Sequence, residues 1–266
     1  MKKVADKLLN VGGRLLDLSQ PCVMGILNCT PDSFYAGSRM QTEKEIAQCA
    51  NRIIAEGGLM IDVGACSTRP GSVAVSSEEE MQRLRFALQV VRREQPDAIV
   101  SVDTFRPEVA KMAVEEFGVG IINDVGGGSE QHPPMFRLVA QLQVAYVLMS
   151  SAPTIRDMLL GFARQVQQLR DLGQKDIILD PGFGFGKTLE QNYEVLEAMD
   201  QLGIMELPVL AGLSRKSMIW RLLDITPDEA LNGTTALNMV ALLKGASILR
   251  VHDVKAAVEV VRLRQI

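Results

Sequence analysis

Asp103, Asn123 and Asp180 each close a run as apolar as any core strand, in AIVSVD, GVGIIND and DIILD. A core cannot hold such groups unpaired, so they bond to each other or to a ligand. Two carboxylates and an amide offer mainly hydrogen-bond acceptors, which suits a flat heterocycle bearing an exocyclic amine and ring N–H groups. In RVH, strand alternation sends Arg250 and His252 to one side, and two cations pointing together suit a phosphate group. LSRKSM places Ser214 as a helix N-cap with Lys216 and Ser217 in the first turn, where backbone N–H groups and a lysine favour an anion. A capped surface helix with a solvated Arg-Lys pair explains that segment equally well. His132, in SEQHPP, reads as a loop residue.

GFGFGKT (182–188) invites a nucleotide-binding assignment, which its spacing rejects. Only three residues separate Gly182 from Gly186 where a phosphate-binding loop of the Walker type needs four, and the dinucleotide fingerprint fails as well. What remains is a tight glycine loop after Asp180 that lets backbone approach a ligand, with Phe185 as a wall.

These residues belong to a series. Eight short apolar runs end in polar or functional residues: Asn28, Asp62, Asp103, Asn123 with Asp124, Met149, Asp180, Ser214, and Arg250 with His252. Segments of helical periodicity lie between most of them, several ending at a glycine placed as a C-cap: Gly57, Gly118, Gly173, Gly203 and Gly245. Alternation alone fits an open doubly wound sheet too. Eight run-ends converging on one site require a closed barrel, so the expected fold is α/β, a (β/α)8 barrel. LLNVGGRLLDLS reads as a short N-terminal hairpin, turning at Gly12 and Gly13 and closing the bottom. No linker or second domain interrupts residues 1–266.

The chain has 266 residues, 47% hydrophobic and 23% charged, and a net charge of −4. It has length enough for one full core. The charge supplies no basic field, so neither nucleic acid nor an anionic membrane is an expected partner. The start lacks a signal-peptide pattern and no run is long enough to span a membrane, which leads us to expect a cytoplasmic protein. Four cysteines without metal-ligand spacing read as reduced thiols.

Taken in order, MGILNCTPDSF, IDVGACSTRPG, SVDT, IIND, LDPGFGFGK, SRKSM and ILRVHDV resemble the dihydropteroate synthase family from Met24 to the last strand. The resemblance implies a single pterin-binding TIM-barrel domain. It also implies a transferase condensing 6-hydroxymethyl-7,8-dihydropterin diphosphate with 4-aminobenzoate, working as a homodimer with Mg2+. On the matching positions, Asp103, Asn123, Asp180 and Lys216 would bind the pterin, with Asp62 beside them and Met149 and Phe185 lining the slot. Arg250 would stack on the ring and help His252 hold diphosphate, and Asn28 would touch Mg2+. Asp32, Phe34, Ser67, Thr68, Arg69 and Pro70 match the loops that close over the site, and Ser217 would receive the aminobenzoate carboxylate. Asp32, Asp103, Lys216, Arg250 and His252 would take part in the chemistry. Two further readings share part of this pattern: a pterin-binding methyltransferase barrel, which has no need of STRPG, SRKS or RVH, and a barrel that binds pterin without turnover.

Overall fold

In the computed structural model, which describes residues 8–29, 39–66, 75–126 and 133–265, the apolar runs become strands that pair side by side. The strands are β3 (Cys22–Asn28), β4 (Met60–Gly64), β5 (Ile99–Asp103), β6 (Ile121–Asp124), β7 (Ala145–Met149), β8 (Ile177–Asp180), β9 (Leu210–Ala211) and β10 (Ile248–Val251). All pair in parallel, in the order β8-β7-β6-β5-β4-β3-β10-β9. A bridge from Leu179 to Val209, with the Leu179 N–H donating to Pro208 O at 2.9 Å, joins the two edges and closes the barrel.

The period of two along each strand splits the apolar residues into two cores. Val23, Ile61, Val102, Ile122, Leu148, Leu179 and Leu249 face outward against the helices. Met24, Met60, Ile121, Ala145, Val147, Ile178, Leu210 and Ile248 face inward. The hairpin β1 (Leu8–Val11) and β2 (Arg14–Asp17) seats Leu9 and Val11, with Leu18 just beyond it, on that inner layer. Each such side chain contributes about 1.5–3 kcal/mol by leaving water. Gly12 and Gly13, at φ +57° and +85°, make the hairpin turn. The hairpin is tied down where Asn10 N–H donates to Asp176 Oδ1 at 2.7 Å and Arg14 Nη1 to Asp97 O at 2.8 Å. With apolar side chains and the hairpin filling the N-terminal end of the barrel, the polar inward residues gather toward the C-terminal ends of the strands, with Ser101 buried midway along β5.

The helices are α1 (Arg39–Ala55), α2 (Ser77–Glu94), α3 (Pro107–Phe117), α4 (Pro133–Leu142), α5 (Ile155–Asp171), α6 (Leu189–Glu197), α7 (Ser217–Leu223), α8 (Leu231–Leu243) and α9 (Val254–Arg264). Their starts are set by local caps: Ser76 Oγ accepts from Glu79 N at 3.2 Å, and Thr188 with Gln191 forms a reciprocal capping box. Gly57, Gly118, Gly173 and Gly245 have the left-handed conformation of helix-ending glycines. Gly203 does not. It lies inside a 3-10 turn, Met199–Met205, which left-handed Glu206 ends instead. Two helices that the sequence reading left out, α4 and α9, complete the outer ring.

Candidate active site

Asp62, Asp103, Asn123, Met149, Asp180 and Arg250, inward residues at or near the C-terminal ends of their strands, share the mouth of the barrel. Arg250 joins them. Its Nε donates to Asp62 Oδ2 at 2.6 Å and its Nη2 to Asp103 Oδ2 at 2.7 Å. Asn123 Nδ2 donates to the same Asp62 Oδ2 at 3.0 Å. Asp62 is fully buried and Asn123 nearly so, yet Asp62 Oδ1 and Asn123 Oδ1 have no hydrogen-bond partner among the described residues. Orphaned buried acceptors cost free energy, so this mouth is built to receive hydrogen-bond donors. Gly64, next along β4, lies beside Asn28 and Asp103.

Asp180 faces the same space from β8. Its Oδ1 accepts the Gly182 N–H at 2.7 Å, which starts the glycine loop. Gly182 has φ +61°, and a Cβ there would stand 2.4 Å from Ser150 O, so only glycine fits. Lys216 reaches back from the segment after β9 to donate to Phe183 O, and its Nζ sits 4.8 Å from the centroid of the Phe185 ring. Met149 is buried beside Gly182.

The electrostatics follow from burial. Removal from water pushes the Asp103 carboxyl up to about 7, helped by Asp62, Asp124 and Glu80 and opposed by Arg250. Burial also raises Asp180 against the pull of Lys216, the Gly182 N–H, Arg250 and Lys187. Lys216 is lowered to about 8 by burial despite the Asp180 charge. Burial works against the Arg250 charge, but Asp62 and Asp103 outweigh it and hold the guanidinium well above its ordinary value.

Other expected residues flank this cluster or point away from it. Ser214 is not the N-cap of α7. Arg215 takes φ +53°, fixed by Thr234 Oγ1 on its N–H at 3.0 Å and by the paired oxygens of Asp253 at 2.8 and 2.9 Å. The helix therefore starts later, with Lys216 at the cap and Ser217 as its first residue. Ser214 is buried and instead accepts the His252 N–H at 3.1 Å. β10 ends at Val251, one residue short of His252, which is exposed on the rim. Asn28 ends β3 with an exposed side chain. Asp124 points outward, where it accepts from the Tyr146 hydroxyl at 2.7 Å. Asp32, Phe34, Ser67, Thr68, Arg69, Pro70 and His132 lie outside the described residues. The four cysteines are free thiols, each raised by burial, Cys22 and Cys29 to about 12.

The structure adds supports the sequence reading missed. Glu80, fully buried on α2, accepts from Thr104 Oγ1 at 2.7 Å and pairs with Arg106, whose Nη2 donates to Val75 O at 2.6 Å. This ties the turn after Asp103 to the start of α2. Asn192 Oδ1 accepts the Gly184 N–H at 2.7 Å and steadies the glycine loop. The only signal in the sequence was a glutamate and an asparagine on the core face of a helix. Among the described residues, no group of three or more His, Cys, Asp or Glu could hold a metal, and no helix is long and apolar enough to cross a membrane.

Comparison with known proteins places this geometry. A family model described as "Pterin binding enzyme" matches residues 24–252. The "Dihydropteroate synthase" of Escherichia coli (strain K12) is 40% identical over 266 aligned residues, covering 94% of this chain and 93% of that protein. Its counterpart in Bacillus subtilis (strain 168) is 39% identical over 241, covering 88% and 84%. A solved structure of Xanthomonas albilineans dihydropteroate synthase with 4-aminobenzoic acid aligns at a TM-score of 0.89 and 36% identity, over 98% of this chain and 97% of that one.

Proposed function

The chain belongs to the dihydropteroate synthase family of pterin-binding enzymes, and on that premise we propose how its barrel mouth condenses 6-hydroxymethyl-7,8-dihydropterin diphosphate with 4-aminobenzoate, forming 7,8-dihydropteroate and diphosphate. One observation supports this reading above the others: buried acceptors from four strands meet around one cation. Asp180 takes the pterin amine and ring N–H in a two-point grip, and Asn123 and Asp62 offer their orphaned oxygens to further donors. Met149 and Phe185 wall the flat ring, and Lys216 and Arg250 bracket Asp180 as cations.

In the reaction, the bond between the pterin methylene carbon and diphosphate oxygen breaks, and its electron pair leaves with diphosphate. Positive charge spreads from the methylene into the ring, where Asp103 offsets it. The amine nitrogen of 4-aminobenzoate then forms the new C–N bond with its lone pair and releases a proton to solvent. An arylamine already carries a free lone pair, so orientation against Lys216 and the start of α7 at Ser217 replaces a strong base. His252 and Arg250 receive the departing anion at the rim. The proposed role of Arg69 and of the first-loop residues Asp32 and Phe34 is to enclose these steps.

Mg2+ fits the donor chemistry: it takes oxygen ligands, needs only one or two from protein and completes its shell with substrate phosphate and water. Asn28, an amide oxygen at the mouth, would hold it, and when bound it supplies positive charge to diphosphate.

The homodimer proposal draws support from α7 and α8, where Leu222, Leu223, Leu231 and Leu243 are exposed. Light scattering at twice the 29.1 kDa chain mass tests it; a monomer at micromolar concentration would refute it. A cytoplasmic location is proposed from the sequence alone, and fractionation of the native host tests it.

The decisive assay is diphosphate release with and without 4-aminobenzoate. Release that requires 4-aminobenzoate is expected. Pterin diphosphate binding by calorimetry without any release would leave a pterin-binding barrel that lacks this reaction.

A further inference from the structure

Lys187, the lysine of the rejected nucleotide-binding motif, spends its ammonium on its own loop. Its Nζ donates to Gly182 O at 3.0 Å, to Ser150 O at 3.1 Å and to Phe185 O at 3.3 Å. An ammonium has three donors, and all three are used on backbone carbonyls. Lys187 makes no salt bridge among the described residues, although it is partly withdrawn from solvent, and burial lowers it to about 8 against the pull of the Asp180 charge. Such a charge is costly to bury unless the carbonyls around it are held in place, so it and the loop fix one another.

Those carbonyls come from the two loops that border Asp180. Ser150 follows β7, while Gly182 and Phe185 belong to the loop after β8. Gly182 O also accepts the Phe185 N–H at 3.1 Å, and the Gly182 N–H is the donor on Asp180. Lys187 therefore holds, through their carbonyls, both the residue whose N–H orients Asp180 and the residue whose ring lies under Lys216.

We propose that Lys187 is a positioning residue for pterin recognition: its ammonium clasps the β7 and β8 loops together, and so sets the Gly182 N–H on Asp180 and the Phe185 ring in the slot. The inference rests on the functional reading above and deepens it. It also gives a glycine loop ending in lysine a role other than the phosphate-binding one its spacing rejects.

Lys187→Met keeps the length of the side chain and removes its charge and donors. With the complete enzyme and both substrates, KM for pterin diphosphate is expected to rise about tenfold, the loss of roughly one charge-assisted hydrogen bond, with kcat changed less than about threefold. Lys187→Arg keeps a cation with several N–H donors and is expected to stay within about threefold of the parent. An unchanged KM in Lys187→Met, or an equal loss in both variants, overturns the proposal. Should Lys187→Met not fold, Lys187→Gln, which retains two donors but no charge, carries the same comparison. If the parent itself fails to bind pterin diphosphate, the functional reading falls. Hydrogen exchange then tests the clasp alone: faster exchange at the amides of 182–186 in the variant supports it, and unchanged exchange overturns it.

Discussion

Arg250 Nε lies 2.6 Å from Asp62 Oδ2, joining two residues 188 positions apart, and the same guanidinium reaches Asp103 at 2.7 Å. Asp62 is fully buried and Arg250 is 18% exposed, so the pair sits at the boundary between the packed core and the mouth. Arg250 is thus oriented by the protein's own carboxylates. Asp62→Ala leaves the cation with one carboxylate partner and is expected to cost about 3–5 kcal/mol, the range for breaking buried pairs. Urea unfolding checks this, and a loss below about 1 kcal/mol would show that the pair does not hold the mouth together.

Asp180→Ala removes a carboxylate whose Oδ1 already holds the Gly182 N–H. Pterin diphosphate affinity is expected to fall on the order of a hundredfold, as two charge-assisted bonds are lost together. Isothermal titration measures it. Unchanged affinity would remove Asp180 from the recognition set.

The pH profile carries two signs. Asp103, raised to about 7 by burial, must be ionised to offset the developing cation, so kcat/KM for pterin diphosphate should rise as pH passes through about 7. Lys216, lowered to about 8 by burial, must keep its proton to bracket Asp180, so kcat/KM should fall as pH passes through about 8. Lys187, also lowered to about 8 by burial against the Asp180 charge, should add to the same limb, so Lys216→Arg together with Lys187→Arg should carry it beyond the pH range of the assay. An upper limb that stays near 8 in that double variant would assign it to another group.

Gly120 supports the hairpin at the opposite end. A Cβ there would lie 2.5 Å from Val11 Cγ1, and Val11 is packed in the inner layer. Gly120→Ala should therefore destabilise by about 1–3 kcal/mol through overpacking, and Val11→Ala in the same chain should recover part of it. Thermal melting reads both, and an unchanged Tm in Gly120→Ala would show that the hairpin is not seated on the barrel.

Much of this protein was legible along the chain because side-chain direction in a strand is a local property. Asp62, Asp103, Asn123, Asp180 and Arg250 could be named as inward residues once their runs were recognised as strands, and Gly12-Gly13 announced a hairpin. The reading failed where local signals pointed the wrong way or were overlooked. The two prolines Pro133 and Pro134 open α4, where proline at the first turn costs nothing, a helix-start signal the sequence reading did not use. The apolar spacing of Val254, Ala257, Val260 and Val261 marked α9 after the last strand and was passed over. Ser214 had the residue type of a cap, but left-handed Arg215, anchored by Thr234 and Asp253 from later elements, delayed the helix.

The sequence by itself therefore determined the alternation that turns Asp62, Asp103, Asn123, Asp180 and Arg250 inward and which chemistry their types allow. Tertiary structure decided which of them meet: that Arg250 falls between Asp62 and Asp103, that Lys187 finds three carbonyls, and that Ser214 serves the backbone of His252. Periodicity is written over a few consecutive residues, whereas partners across the barrel depend on register and closure, which involve all eight strands at once.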